Sequence, residues 1–148
     1  MDDIWRPSVT VAALVERDGR FLVVEELDEG ERVINQPAGH WEPGETLEEA
    51  CSREALEESA CRFVPKSVVG VYRWRAPSNG ITYLRFAYAG DYMGIEEGRP
   101  LDEGIVRALW LTPGEIRSSR LRTPLVWRCV EDYLSGRRYP LDLVTYAD

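Results

Sequence analysis

The segment between Gly39 and Cys61 constrains this chain more than any other, because it places acidic side chains where a helix should be apolar. A Gly/Pro-rich turn leads into a predicted helix that carries Glu54, Glu57 and Glu58. At about 100° per residue, these three carboxylates fall within about 100° of arc. Apolar residues fall on or beside the same arc, so this face is expected to pack against the protein; they are Leu47, Ala50, Cys51 and Ala55.

Folding alone does not account for three acids on an inward helix face. At about 6 Å each pair repels by about 3 kcal/mol at an effective dielectric constant of about 20. A bound divalent cation removes the conflict, because Mg²⁺ and Mn²⁺ take hard oxygen ligands. The segment therefore predicts a Mg²⁺ site in which Mn²⁺ can substitute.

The spacing of the segment resembles the Nudix box of diphosphate hydrolases, G-x5-E-x7-R-E-U-x-E-E-x-G-U, where U is a bulky apolar residue. The chain departs from this pattern at three uncharged positions, Ala55, Ala60 and Cys61, and Ala60 replaces a glycine at the predicted helix exit. The charged positions all match, together with the first glycine; they are Gly39, Glu45, Arg53, Glu54, Glu57 and Glu58.

The resemblance implies an α/β fold, the Nudix α/β/α sandwich with a mixed β-sheet between helices. It implies that the Gly39 main-chain carbonyl and the three helix acids bind metal, and that the early box glutamates position ions or activate the water. We assign catalytic roles to Arg53, Glu54 and Glu57. Arg53 lies at i, i+4 from Glu57, so it either orients the carboxylates or forms an ordinary solvated ion pair.

Further acids are candidates for the same site. Glu45 precedes the helix and either supports the metal site or supplies a favourable N-terminal charge. Many members of the resembled family use a fourth acid from a loop outside the box. Asp102 and Glu103, before a predicted strand that ends near Trp110, are the candidates here, and the alternative is that they are ordinary loop charges.

Several side chains are candidates for substrate binding. We select Trp74 and Tyr83 as faces for a base, Arg85 as a phosphate contact and His40 as a neighbour of Gly39. Each has a plain alternative, because most aromatic residues on strands belong to a core, a strand arginine often neutralises an internal acid, and a loop histidine often only packs. Other aromatic candidates for stacking are Trp41, Tyr72 and Phe86.

Similarity beyond the box extends over most of the chain and resembles the NudJ-type phosphatase branch of the family; the matching pieces include NQPAGHWEPGETL, YLRFAYA, LRTPLV and YLSGRRYPLDLV. That branch implies Mg²⁺-dependent release of orthophosphate from nucleoside tri- and diphosphates and from hydroxymethylpyrimidine diphosphate. One alternative is a pyrophosphatase for ADP-ribose, nucleotide sugars or oxidised nucleotides. The other is a nucleotide-sensing domain without catalysis, which the presence of all three helix acids disfavours.

Composition limits the remaining choices. A length of 148 residues predicts a single domain over residues 1–148. The net charge of −8 argues against a nucleic-acid polymer as partner and leaves a small phosphorylated molecule. We see neither a membrane-spanning run nor a signal sequence, so we expect a cytoplasmic protein. The cysteines are expected to be buried free thiols; they are Cys51, Cys61 and Cys129.

Local patterns predict alternating strands and helices. Thr46 and Glu49 form a capping-box pattern at the start of the main helix, and Thr123-Pro124 starts a last helix that Gly136 ends. Loops are predicted over residues 27–32 and 93–104. Strands are predicted over residues 9–15, 21–24, 33–36, 68–74, 81–88 and 106–111, with a short helical turn over residues 113–116.

Overall fold

The computed structural model describes residues 3–148, in which two β-sheets and three helices form the framework. In this part of the chain the strands are β1 (Ser8–Leu14), β2 (Glu16–Arg17), β3 (Arg20–Asp28), β4 (Glu31–Asn35), β5 (Ala38–His40), β6 (Cys61–Arg75), β7 (Thr82–Ile95) and β8 (Ile105–Leu111). The helices are α1 (Leu47–Ser59), α2 (Pro113–Arg117) and α3 (Leu125–Leu134), and a 3₁₀ turn spans Leu141–Leu143.

The first sheet has the strand order β5-β1-β7-β6 and is mixed. Strands β1 and β7 run parallel, whereas β5 and β6 run antiparallel to their neighbours. In the second sheet β3 pairs antiparallel with β2, β4 and β8. Strand β5 therefore forms an edge of the first sheet, close in sequence to β4 of the second.

Apolar residues form two cores, one under α1 and one under α3. Alternate residues of β1 point to opposite faces, so Ala13 joins the first core and Leu14 the second. Helix α1 contributes Ala50 and Ala55 to the first core, and α3 contributes Cys129 to the second. Helices thus cover both faces of a mixed sheet, and the predicted α/β/α arrangement is confirmed.

Two predicted loops are partly wrong, because strand pairing continues into them. Strands β3 and β4 pair as far as Asp28 and Glu31, leaving only a tight turn at Glu29-Gly30 instead of a loop over residues 27–32. Strand β7 continues to Ile95, which pairs with Cys61. Long-range pairing determines these strand ends, and a local charge pattern does not report it.

The predicted beginning of α1 is confirmed. Thr46 Oγ1 accepts a hydrogen bond from the Glu49 main-chain N–H at 3.1 Å, and the Glu49 carboxylate accepts one from Thr46 N–H at 2.8 Å. The helix ends at Ala60, whose φ of 60° lies in the left-handed region. At α3 the Thr123 hydroxyl caps Leu125 N–H at 2.8 Å, so the helix begins one residue after Pro124.

Two further sequence predictions have a structural outcome. All three cysteines are buried and free, as predicted. Within residues 3–148 the helices are too short or too polar to cross a membrane. The single domain over residues 1–148 stays a prediction, and residues 1 and 2 of it lie outside the described part.

Candidate active site

Gly39 makes room for the acidic side chain at the centre of the site. A Cβ atom built on Gly39 would lie 2.1 Å from Glu54 Cδ, well inside contact distance. The Glu54 carboxylate therefore occupies the space that any other residue at position 39 would fill. This packing leaves Glu54 only 8% exposed, between α1 and the edge strand β5.

Three carboxylates converge in what we call the acidic cluster, formed by Glu54, Glu57 and Asp102. Oxygen atoms from the three lie within 4.8 Å of one another, close enough to share one cation. Asp102 comes from the loop before β8 and is tied to the helix, because its N–H donates to the Glu57 main-chain oxygen at 3.0 Å. Glu103 is exposed and lies outside the cluster.

Arg53 links the cluster to the turn before α1. Its Nη1 donates to Glu54 at 2.8 Å and to Glu57 at 3.0 Å. Its Nε and Nη2 donate to the two oxygens of Glu45 at 2.6 and 3.1 Å, and Nη2 also donates to the His40 main-chain oxygen at 2.9 Å. A guanidinium with this many fixed acceptors supports the predicted orienting role over an ordinary solvated ion pair.

Glu45 serves Arg53 in this arrangement and stands outside the acidic cluster. The hydrogen bond from Arg53 is the main cause that lowers the pKa of Glu45, so the carboxylate stays ionised. Its Oε1 also accepts a hydrogen bond from the Glu42 main-chain N–H at 3.0 Å, which fixes the turn.

Glu58 faces the open edge of β5. Its Oε1 accepts a hydrogen bond from Ala38 N–H at 2.9 Å. This bond ties the Glu58 carboxylate to the edge strand, outside the three acids of the cluster.

Strand register determines which main-chain carbonyl can serve a metal. Gly39 lies opposite Val11 in the antiparallel β1–β5 pair, and bonds at both flanking positions show that its N–H and C=O face β1. The polar groups of Ala38 consequently face the open edge, as its bond to Glu58 shows. The register therefore favours the Ala38 carbonyl over that of Gly39, whose metal role stays a prediction.

The electrostatics of the site fit a cation. Burial, with a smaller contribution from neighbouring acids that include Asp102, raises the pKa of Glu54 to about 7 and that of Glu58 to about 8. Carboxyls with pKa values this high resist ionisation near neutral pH unless positive charge compensates them. Carboxylate oxygens packed against Gly39, from carboxyl groups whose pKa values are raised, fit a site for a divalent metal ion.

A cleft of about 410 Å³ opens between β5, β4 and the tip of the β6–β7 hairpin. Glu58 and Gly39 line its acidic end. The four residues predicted to bind substrate line the same cleft, and they are His40, Trp74, Tyr83 and Arg85. The rings of Trp74 and Tyr83 stack at 6.0 Å with an interplanar angle of 24°. His40 Nδ1 lies 3.1 Å from Ser8 Oγ.

Other aromatic candidates do not line the cleft. Trp41 donates from Nε1 to the Glu45 main-chain oxygen at 2.8 Å and so braces the turn. Tyr72 donates to Asp132 on α3 at 2.8 Å. Phe86 packs against the first core, so for it the core alternative is correct.

Arg85 is only 5% exposed and bonds to two amides that the sequence analysis missed. Its Nη1 donates to Gln36 Oε1 at 2.8 Å and its Nη2 to Asn35 Oδ1 at 3.0 Å. Among residues 3–148, Arg85 forms no direct ion pair; its hydrogen bonds to oxygen go to the two amides, which favours the predicted phosphate contact over neutralisation of an internal acid. The available signal was a pair of polar residues at the end of the apolar strand before the turn.

A family comparison decides the relationship of the chain. A model of the NUDIX domain matches residues 5–129. The chain belongs to the Nudix family. Phosphatase NudJ from Escherichia coli strain K12 is 41% identical over 142 residues, which cover 95% of this chain and 92% of that protein. The chain is accordingly a Nudix hydrolase, an enzyme that acts on phosphoric anhydride bonds.

Solved structures agree with the Nudix fold. A NUDIX hydrolase from Nitrosomonas europaea superposes with a TM-score of 0.93 at 50% identity, covering 96% of this chain and 98% of that one. The NUDIX domain of Shewanella oneidensis NrtR, complexed with ADP ribose, superposes with a TM-score of 0.71 at 14% identity, covering 90% of each chain. At that identity the second comparison shows only a shared fold.

Proposed function

We propose that this Nudix hydrolase is a Mg²⁺-dependent phosphatase that releases orthophosphate from nucleoside tri- and diphosphates and from hydroxymethylpyrimidine diphosphate. The observation that carries the proposal is the convergence of Glu54, Glu57 and Asp102 beside an aromatic-lined cleft. Identity of 41% to proteins named Phosphatase NudJ, over 95% of the chain, supports terminal phosphate release.

Metal binding in this proposal uses the acidic cluster, with Glu58 and a main-chain carbonyl of β5 at its rim. A divalent ion held there, Mg²⁺ or Mn²⁺, would supply positive charge that neutralises anhydride oxygens and lowers the pKa of a bound water. Glu54 and Glu57 carry the catalytic roles predicted for them. Arg53 keeps both carboxylates in place and is itself held by Glu45.

The organic part of the substrate is proposed to lie over the Trp74–Tyr83 pair. Stacking on aromatic faces accepts many rings with modest discrimination, so broad base tolerance is expected. A net charge of −8 supports a small phosphorylated ligand over a nucleic-acid polymer. A cytoplasmic location belongs to the proposal and is supported by three free thiols.

A time course of products tests the proposal. Nucleoside tri- and diphosphates and hydroxymethylpyrimidine diphosphate are incubated with the enzyme, with Mg²⁺ or with EDTA, and the products are separated by chromatography. Orthophosphate as first product, with nucleoside diphosphate and then monophosphate following, is expected only with metal. Pyrophosphate and monophosphate as first products would instead indicate a pyrophosphatase. Tight binding without cleavage would indicate a sensing domain. Undiminished hydrolysis in EDTA would contradict the metal mechanism.

A further inference from the structure

Arg85 carries a buried charge whose use the metal site does not explain. We propose that Arg85 binds a phosphate group of the substrate next to the one held at the acidic cluster, and that Asn35 and Gln36 are positioning residues for its guanidinium. The identity of the ligand rests on the proposed function. The contacts of Arg85 with the amides of Asn35 and Gln36, which we call the cradle, are independent of that function.

Both amides are held so that their oxygens face Arg85. Gln36 Nε2 donates to the Val126 main-chain oxygen at the start of α3 at 2.9 Å. Asn35 Nδ2 donates to Glu26 Oε1 at 3.2 Å. Since each NH₂ group has its own acceptor, each amide presents its carbonyl oxygen to the guanidinium. The orientation of the arginine is thereby fixed from two elements of the fold.

The cradle orients the guanidinium without neutralising it. Amide oxygens are dipolar acceptors, so the positive charge of Arg85 remains uncompensated in a position that is 5% exposed. The nearest acid in the network, Glu26, is paired with Arg122 at 3.3 Å. A buried charge held in this way is costly unless an anion reaches it, and the open route to Arg85 is the cleft.

The position of the cradle places this charge beside the metal-binding edge. Asn35 and Gln36 stand shortly before Ala38, whose N–H bonds Glu58. Arg85 is on β7, and its side chain reaches these amides across β1, the strand that lies between β7 and β5. Glu58, which bonds the edge strand next to the acidic cluster, and the fixed guanidinium of Arg85 thus line one cleft.

The chemistry of the guanidinium selects an oxyanion. Its planar fork matches two oxygens of a phosphate, and charge-assisted hydrogen bonds are stronger than those to a neutral base carbonyl. The metal site would hold one phosphate group of the anhydride, and Arg85 would hold its neighbour. Arg85 therefore distinguishes phosphorylated ligands from the corresponding nucleosides.

The inference is tested by calorimetric titration of metal-free protein in EDTA. The probes are adenosine 5′-monophosphate and adenosine. Wild-type protein should bind the monophosphate about tenfold or more tightly than adenosine. Arg85→Gln should remove this preference, and Arg85→Lys should retain part of it because the charge remains. Binding without metal or turnover separates this test from that of the proposed hydrolysis.

Asn35→Asp provides a sharper variant, because it keeps the acceptor for Arg85 and adds a neutralising charge. We expect the preference for the monophosphate to disappear. The melting temperature should fall as well, because the new carboxylate replaces the amide that donates to Glu26 and repels it. Asn79→Asp is the matched control, because it adds the same charge to the cleft at a residue that bonds Ile81 N–H and the Tyr83 hydroxyl but does not contact Arg85. It should affect both probes through Tyr83 and leave a preference for the monophosphate. Equal affinities of the wild type for both probes, or an unchanged preference in Asn35→Asp, would overturn the inference.

Discussion

At the scale of single residues, Glu57 offers a direct test of the acidic cluster. Glu57→Gln keeps the size of the side chain and removes a charge that the metal requires, so kcat/KM should fall by at least about 100-fold. The fold should persist, because relief of repulsion from Glu54 and Asp102 offsets the weaker bond to Arg53. Steady-state kinetics and melting temperature measure the two effects.

Glu103→Gln is the matched control for Glu57→Gln, because Glu103 neighbours Asp102 in sequence but lies outside the cluster. It should leave the rate unchanged. A near wild-type rate for Glu57→Gln, or a large fall in its melting temperature without metal, would count against the assignment.

Ala60 is strained where the Nudix box usually has glycine. Its φ of 60° lies in the left-handed region, which costs a residue with a Cβ about 1–2 kcal/mol. Ala60→Gly should therefore raise the free energy of unfolding by about 1 kcal/mol after the greater chain entropy of glycine is included. Urea denaturation measures the change. Ala50→Gly, inside α1, is the control and should lower the free energy of unfolding. If Ala60→Gly did not raise the free energy of unfolding, the prediction would be contradicted.

Residue-level prediction was strongest where chemistry is local. The positions of Arg53 and Glu57 one turn apart were enough to predict their contact, because helix geometry fixes it. Asn35 was missed, since its partner Arg85 lies 50 residues away and only the fold brings them together. The preference for the Ala38 carbonyl is equally invisible in sequence, because it depends on the register of β5 against β1.

At the scale of elements, α1 is held at its N-terminus by the C-terminal segment. Tyr146 accepts a hydrogen bond from Leu47 N–H at 2.9 Å and donates one to Glu48 at 3.0 Å. Tyr146→Phe removes both and leaves the N–H with water, so the free energy of unfolding should fall by about 1–2 kcal/mol. Chemical denaturation measures the loss.

Tyr139→Phe controls for removal of a hydroxyl group, because Tyr139 is exposed and its hydroxyl has no hydrogen-bond partner in residues 3–148. It should be nearly neutral. If both tyrosine variants changed stability equally, the cap formed by Tyr146 would not be the cause.

Elements were predicted well where their signals are local and less well at their ends. The α1 cap was correct, because Thr46 and Glu49 carry the signal themselves. Strand β6 is longer than predicted and includes Pro65, at a register shift on a sheet edge where the missing N–H is tolerated. Pairing with β7 decides that length, and pairing is not encoded in a short window.

At the scale of the whole molecule, the acids of α1 couple stability to pH. The pKa values of Glu54 and Glu58 are raised from 4.5 to about 7 and about 8, so the metal-free folded state binds more protons than the unfolded state between these values. The free energy of unfolding in EDTA should therefore fall as pH rises from about 5 to about 8. Denaturation at a series of pH values measures the slope.

Divalent metal should reverse this loss. Metal binds the ionised carboxylates, so Mg²⁺ should stabilise the protein more at pH 8 than at pH 5. The double variant Glu54→Gln, Glu58→Gln serves as control and should show a flatter profile in EDTA. A wild-type profile that is already flat would contradict the coupling.

The ties at the two ends of α1 have a consequence for how the protein is made. Tyr146 closes the beginning of the helix and Asp102 joins its end, although both follow it in the chain. Strand β1 likewise pairs in parallel with β7, which comes much later in the chain. During synthesis the acidic cluster can therefore assemble only after β7 and the Asp102 loop have left the ribosome, so a shorter nascent chain lacks the complete set of carboxylates that would hold a metal ion.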